Sequence, residues 1–330
     1  MSAQTPVRVH PVGGKMPHSL QYRFRKTAKA ILNYTVMTLL ACFFAFPLVF
    51  MMVSATKTNE TQITSDVGGL RAFVPYPLRF VPPVDRLDDA PAEIRNAYTG
   101  LGPQNFFDVF RRMPFGRFLW NSILVTTTTV GLGLLVNSIA AYPLARLKWK
   151  GRNVVLAAIV ALIIIPFEAV AIPLMLLTTR LPRPGGGIGW HDTYIVQIIP
   201  FVADAFSIYL FYQFFIGIPK DLDEAAIMDG ASRLRIYWNI IVPNSRPVFA
   251  TVAILKFLWV WGSYLWPLLV IRLPEYRPLT VAMQEFFGQY PRLWGDTLAF
   301  ATMTTLPVLV LFLAFQRWFI RSVAATGIKG

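Results

Sequence analysis

Two groups of residues in this chain of 330 residues stand out by their types and by where they lie. The first is Glu224-Ala225-Ala226-Ile227-Met228-Asp229-Gly230, set in a short polar gap between two apolar runs. The second is a trio of ionisable residues, Glu168, Asp204 and Lys256, lying inside apolar runs. Neither group contains a nucleophile with a base beside it, so covalent catalysis has no foothold. His10, His18 and His191 are scattered without ligand spacing, and the one cysteine, Cys42, sits in an apolar run, which excludes a disulfide framework and a thiolate metal site. No G-x-x-x-x-G-K-[ST] loop occurs, so the chain has no Walker-type nucleotide site. The chemistry that remains is docking for the first group, and passage or pairing of charge for the second.

Local physics gives the first group a shape. Pro219 ends the preceding run, and Asp221 is predicted to cap a new helix with Glu224 reaching back in a capping box. Asp223 and Glu224 also suit the positive end of that helix. Ala225 and Ala226 keep the helix surface low for close approach, and Gly230 accepts the left-handed turn that ends it. Ser232 is then expected to cap a second short helix, with Leu234, Tyr237, Trp238 and Ile241 on one face and Pro243 and Pro247 stopping it. The product is a helix–turn–helix hairpin at a membrane surface. A capped surface helix without a partner is the plain alternative.

The elements that must hold these residues are apolar. Hydrophobic residues make up 55% of the chain, charged residues 15% and aromatic residues 14%, outside the range of an ordinary soluble domain. Six stretches approach the length needed to cross a ~30 Å hydrocarbon core: 31–54, 118–144, 154–178, 193–216, 248–271 and 297–320. The formal charge of +14 reads as cytoplasmic Lys and Arg rather than a nucleic-acid surface, because no basic–aromatic recognition pattern accompanies it. Arg23, Arg25, Lys26 and Lys29 precede the first span, which reads as a retained signal anchor. Arg146, Lys148, Lys150 and Arg152, the Glu224 loop and the C-terminal Arg317, Arg321 and Lys329 fall on the same side of a six-span chain, predicting both termini in the cytoplasm. Arg111, Arg112 and Arg117 run against that rule, but in a loop long enough to cross regardless of charge.

Pro47, Pro166, Pro173, Pro200, Pro267 and Pro307 within the spans predict bent helices whose freed backbone groups are met by neighbours. Thr126 to Thr129, Gly131, Gly133 and Ser138 suit close packing of the second span. The domain boundaries expected from this pattern are a basic tail at 1–30, a first span at 31–54, an outer loop at 55–117, a core of five spans at 118–320 with the polar loop at 219–247, and a tail at 321–330. The outer loop, with Pro75, Pro77, Pro82, Pro83 and Pro91 among Asp85, Asp88, Asp89 and Glu93, reads as an irregular surface insertion.

The run Glu224-Ala225-Ala226, then Gly230, Ile240 and Val242-Pro243, resembles the EAA loop of ABC importer permeases, with Val242 where that pattern has Leu. More narrowly the chain resembles the MalG-type permeases of carbohydrate importers. Asn121-Ser122 and Ala140-Ala141-Tyr142-Pro143-Leu144-Ala145-Arg146 look like that family's second span, and Gln316-Arg317-Trp318-Phe319 with Gly327-Ile328-Lys329-Gly330 like its ending. The likeness covers about residues 115–330. It implies an all-α membrane protein, a MetI-like bundle of six transmembrane helices. It further implies that Glu224, Ala225, Ala226, Asp229, Gly230, Ala231, Ile240 and Pro243 form a coupling element seated on a separate ATPase. The implied partners are a second, MalF-type permease, two ATP-binding subunits, an extracytoplasmic solute-binding protein and the lipid bilayer of a bacterial or archaeal cytoplasmic membrane. ATP and Mg would be held by the ATPase, with no cofactor on this chain, no metal and no nucleic acid.

Under that resemblance Glu168, Asp204, Tyr209, Lys256, Trp259 and Tyr264 are candidates for the solute path, since carboxylates and aromatic faces, Trp261 included, suit sugar hydroxyls and rings. Structural pairing of the three charges is the equal alternative. A proton- or ion-coupled carrier using Glu168, Asp204 and Lys256 is the competing function, and it leaves the hairpin unexplained. A sugar, an oligosaccharide, a polyol or a glycerophosphate-type solute would each fit.

Overall fold

A computed structural model describes residues 18–58, 60–74, 80, 100–288 and 293–327. The chain divides into two units, Met1–Met51 and Met52–Gly330. Most of the first unit is one helix, α1 (His18–Ala55), which carries Pro47 and leaves Leu32, Met37, Phe43 and Phe44 exposed. A helix so apolar with so little buried is suited to lipid rather than to water.

The second unit is built from helices, and no strand forms among the described residues. After α2 (Glu60–Asp66) and α3 (Gln104–Arg112) comes α4 (Phe115–Arg146), the organising helix. Its two ends belong to different cores. Phe115 and Phe118 pack with Val109, Trp261, Phe286 and Phe300, whereas Ala141, Tyr142 and Ala145 pack with Phe211, Phe215, Ile236 and Val252. Between those ends its small and hydroxyl residues Thr126, Thr129, Gly133 and Ser138 are buried, as close packing requires.

The stretch predicted as one span at 154–178 is two helices, α5 (Arg152–Ile164) and α6 (Phe167–Thr178), meeting at 104°. Pro166 explains the corner: it offers no N–H to the preceding turn and forces Ile165 into extended backbone, ψ 117°. The next stretch runs as α7 (Tyr194–Ile198), a 3₁₀ turn through Pro200, and α8 (Ala205–Ile216). The polar hairpin follows as α9 (Asp221–Met228), α10 (Arg233–Ile236), a π turn at Tyr237–Ile241 and α11 (Val242–Asn244). A 78° bend leads into α12 (Arg246–Trp261). The stretch predicted as one span at 248–271 is likewise divided, since α12 stops at Gly262 and α13 (Leu265–Val270) starts afresh. Then come α14 (Leu279–Phe287) and α15 (Trp294–Gly327), which runs continuously past Pro307. Among the described residues, four stretches are long and apolar enough to cross a membrane, and up to six if each bent pair counts as one span.

The prolines and acids that suggested an irregular outer insertion lie outside the described residues, as do the N-terminal Arg8 and Lys15 and the terminal Ile328-Lys329-Gly330. The flanks of that loop are folded. Lys57 is buried, its Nζ donating to Asp66 Oδ2 and to the Arg71 carbonyl, each at 2.8 Å. Asn105 Nδ2 donates to the carbonyls of Ala55 and Lys57, and the Glu60 carboxylate accepts the N–H groups of Trp294 and Gly295 at the start of α15.

Candidate coupling surface and polar core

α9 differs from expectation in how it begins. Lys220, not Asp221, is the N-cap, with its carbonyl accepting the N–H groups of Asp223 and Glu224, and no side chain caps the end. The predicted capping box does not form, because the turn at Pro219–Lys220 starts the helix one residue early and places Asp221 within the first turn. The acidic first turn of Asp221, Asp223 and Glu224 still meets the positive end of the helix. The C-terminal end is closed as predicted: Gly230 has φ +78° and the Ala231 N–H donates to the Ala226 carbonyl at 2.9 Å.

The two faces of α9 have opposite character. Asp223 is buried and Ala226 and Ala231 pack on the core beneath, while Leu222, Glu224, Ala225, Ile227, Met228 and Asp229 face outwards. Met228 is 88% exposed, an apolar knob that none of the described residues covers. From behind, Arg146 at the end of α4 grips the segment. Its Nε donates to Asp223 Oδ2 at 2.8 Å, Nη1 to the carbonyls of Phe215 and Ile218, and Nη2 to that of Pro219. The guanidinium is almost wholly buried, where a forked, permanently charged donor holds a fixed geometry best.

Ser232 caps α10 as expected, accepting the Arg235 N–H. The buried face is the predicted one in part: Tyr237 and Ile241 are buried, but Leu234 and Trp238 are exposed and Ile236 is buried in their place. The π turn is the cause: five-residue spacing stacks Ile236 over Ile241 and sets aside the 3.6-residue register. Tyr237 completes the contact with a 2.7 Å hydrogen bond to Ser138 of α4. Ile240 is half-buried against this core, and Pro243 is exposed, near the start of α11.

The in-span charges are partly brought together. Lys256 of α12 is buried and donates to Asp204 Oδ2 at 2.5 Å, while Asp204 Oδ1 caps α8 by accepting the Ser207 N–H. Glu168 stands apart, exposed in the first turn of α6. Its neighbour Phe167 joins Phe201, Trp259 and Trp266 in one aromatic group, with Phe201 and Trp259 ring centres 5.0 Å apart. Trp259 is 46% exposed at the edge of that group. Tyr209 accepts from Gln213 and stacks on Tyr212; Tyr264 is exposed just past α12; Trp261 is buried in the other core.

Residues 129–325 match the family model described as a binding-protein-dependent transport system inner membrane component. The chain belongs to this family. Relatives include the arabinooligosaccharides transport system permease protein AraQ of Bacillus subtilis, 30% identical over 65% of this chain and 74% of that protein. The lactose transport system permease protein LacG of Rhizobium radiobacter is 27% identical over 90% of this chain and 96% of that one. A crystal structure of a bacterial ABC transporter involved in the import of alginate has a chain of the same fold, with TM-score 0.69 at 19% identity over 89% of this chain and 98% of that one. The protein is therefore an ABC importer permease, a transport component rather than an enzyme, with a MetI-like helical fold.

Three features of the permease escape reading by motif. Arg146 closes the Ala140–Arg146 run that carries the family likeness, yet nothing local says that it reaches Asp223. Asn137 accepts the Asp204 N–H and donates to the carbonyls of Gly133 and Val202, a role visible only once α4 and α8 are packed. Phe201 and Phe167 join Trp259 because two broken helices turn their corners at the same place.

Proposed function

We propose that this permease forms one half of the translocation pathway of an importer for a carbohydrate-type solute, and that α9 is the surface on which a separate ATP-binding subunit seats. The single observation that carries this is the two-faced α9, with Leu222, Ala225, Ile227 and Met228 bare outside and Asp223 locked to Arg146 inside. An apolar patch rimmed by Glu224 and Asp229 fits a partner groove better than it fits water. Held by a π turn and a bend to α12, it can pass force into the bundle.

The assembly contains a second, MalF-type permease, two ATP-binding subunits that hold ATP and Mg, and an extracytoplasmic solute-binding protein. Six spans cross a bacterial or archaeal cytoplasmic membrane, with both termini, the 147–151 turn and the 219–247 loop on the cytoplasmic side. The Arg146–Asp223 pair supports the last point, since it ties the end of α4 to α9. The sugar names of the relatives and the exposed Trp259, Tyr264 and Glu168 favour an uncharged, hydroxyl-rich solute, with Tyr209 further along the path. Gly230→Asp tests the coupling role in the reconstituted complex: it leaves membrane insertion intact and abolishes ATP-driven uptake. Uptake near the unaltered rate would remove α9 from the coupling path.

A further inference from the structure

Gly133, on the buried face of α4, lies under the Lys256 side chain. A Cβ built on Gly133 would overlap Lys256 Cε and lie 2.9 Å from its Cδ. The lysine crosses α4 at a place where only glycine leaves room, and its ammonium ends on the Asp204 carboxylate. Asp204 in turn is the first cap of α8, and its own N–H is held by Asn137, one turn along α4 from Gly133. Asn137 also fixes the Val202 carbonyl in the turn between α7 and α8. Three elements thus meet at one partly buried polar point, with Lys256 buried and Asp204 half-buried, and the turn through Pro200 that joins α7 to α8 is the least regular backbone among them. Burying an ammonium inside a membrane bundle is unfavourable unless it is paired, so the pair holds as long as both charges face each other.

α12 leads directly from the coupling hairpin through the bend at Ser245. We propose that Lys256, seated in the Gly133 gap, is the positioning residue that transmits displacement of α12 to the start of α8 and so to the turn at 199–204. This rests on the coupling role of α9 given above. Asp204 and Lys256 are then a joint between helices, with no contact to solute.

The test uses the complete complex with its ATP-binding subunits in lipid nanodiscs, with Cys42→Ser to clear the native thiol. Nitroxides are placed on cysteines at the exposed positions Leu234, on the hairpin but outside the α9 patch, and Phe206, each paired with one at Trp120 on α4. Distances are compared between nucleotide-free and ATP–vanadate-trapped complexes. In the unaltered joint both distances shift. With Lys256→Met the Leu234 shift persists and the Phe206 shift falls by at least half. An undiminished Phe206 shift in that variant overturns the joint and leaves the coupling role standing. No Leu234 shift even with Lys256 present overturns the coupling role and the joint with it. The seat is tested separately by thermal unfolding: Gly133→Ala lowers the midpoint with Lys256 present and leaves it unchanged in a Lys256→Ala background. An equal loss in both backgrounds overturns the seating.

Discussion

Arg146 and Asp223 stand 77 positions apart and make the contact on which the coupling surface depends. Replacing Arg146 with Ala leaves a buried carboxylate and three backbone carbonyls without their donor. The expected cost is about 3–5 kcal/mol, read as a lower unfolding midpoint in detergent. An unchanged midpoint would show that water replaces the guanidinium and that the contact holds nothing. Gly230 makes a different kind of demand. A Cβ there meets nothing within 4 Å, so substitution is penalised by φ +78° alone. Gly230→Val should therefore cost about 1–2 kcal/mol locally, detach α9 from its turn, and lower recovery of the ATP-binding subunit on a tagged permease. Equal recovery would contradict this. At this scale the sequence was readable where chemistry is local, as at Gly230 and Ser232. It misled at Asp221 and Glu224, because the preceding Pro219–Lys220 turn decides where the helix begins. Long-range partners such as Arg146 have no local signature at all.

Helices in this permease are punctuated where proline, glycine or a side-chain cap dictates. The corner between α5 and α6 depends on Pro166, and Pro166→Ala restores an N–H that can join the two helices. The expected result is a straighter third span, seen as a lengthened distance between labels at Val154 and Leu177, with reduced uptake. An unchanged distance would mean that packing of Phe167 on Phe201 and Trp266 holds the corner by itself. The start of α15 depends on Glu60, whose carboxylate accepts two N–H groups that the helix cannot satisfy internally. Glu60→Gln keeps one acceptor and loses the charge, so about 1 kcal/mol should be lost, again as a lower unfolding midpoint. No change would show that the start of α15 is held without Glu60, by contacts such as the Arg112–Asp296 pair at 3.1 Å. The apolar runs were legible by length and composition and a bend at Pro166 by its proline, but which prolines break their helices was not. A run containing Pro166 and one containing Pro307 look alike in sequence, yet one turns through 104° and the other continues as a helix. The π turn at Tyr237–Ile241 is of the same kind, since helical spacing puts Leu234 and Trp238 on one face with Tyr237 and Ile241, and only the last two are buried.

At the scale of the molecule, the proposed joint and the proposed docking face divide the work. One core gathers the N-terminal end of α4 with α3, α14 and α15, and another gathers its C-terminal end with α8, the hairpin and α12. On the proposed coupling role, force entering at α9 reaches the second core first, and the polar joint at Gly133, Asp204 and Lys256 lies between the two. The class of protein was legible from the spacing of Glu224, Gly230, Ile240 and Pro243, because that pattern specifies a surface. The solute was not, because the aromatic residues Phe167, Phe201 and Trp259 come together only through the folding of two broken helices. The most direct measurement is photo-crosslinking from a benzoylphenylalanine placed at Met228, in native membranes that support uptake. The account predicts an adduct with a separate subunit carrying a G-x-x-x-x-G-K-[ST] nucleotide loop. Adducts with lipid alone, in a permease that still transports, would contradict it.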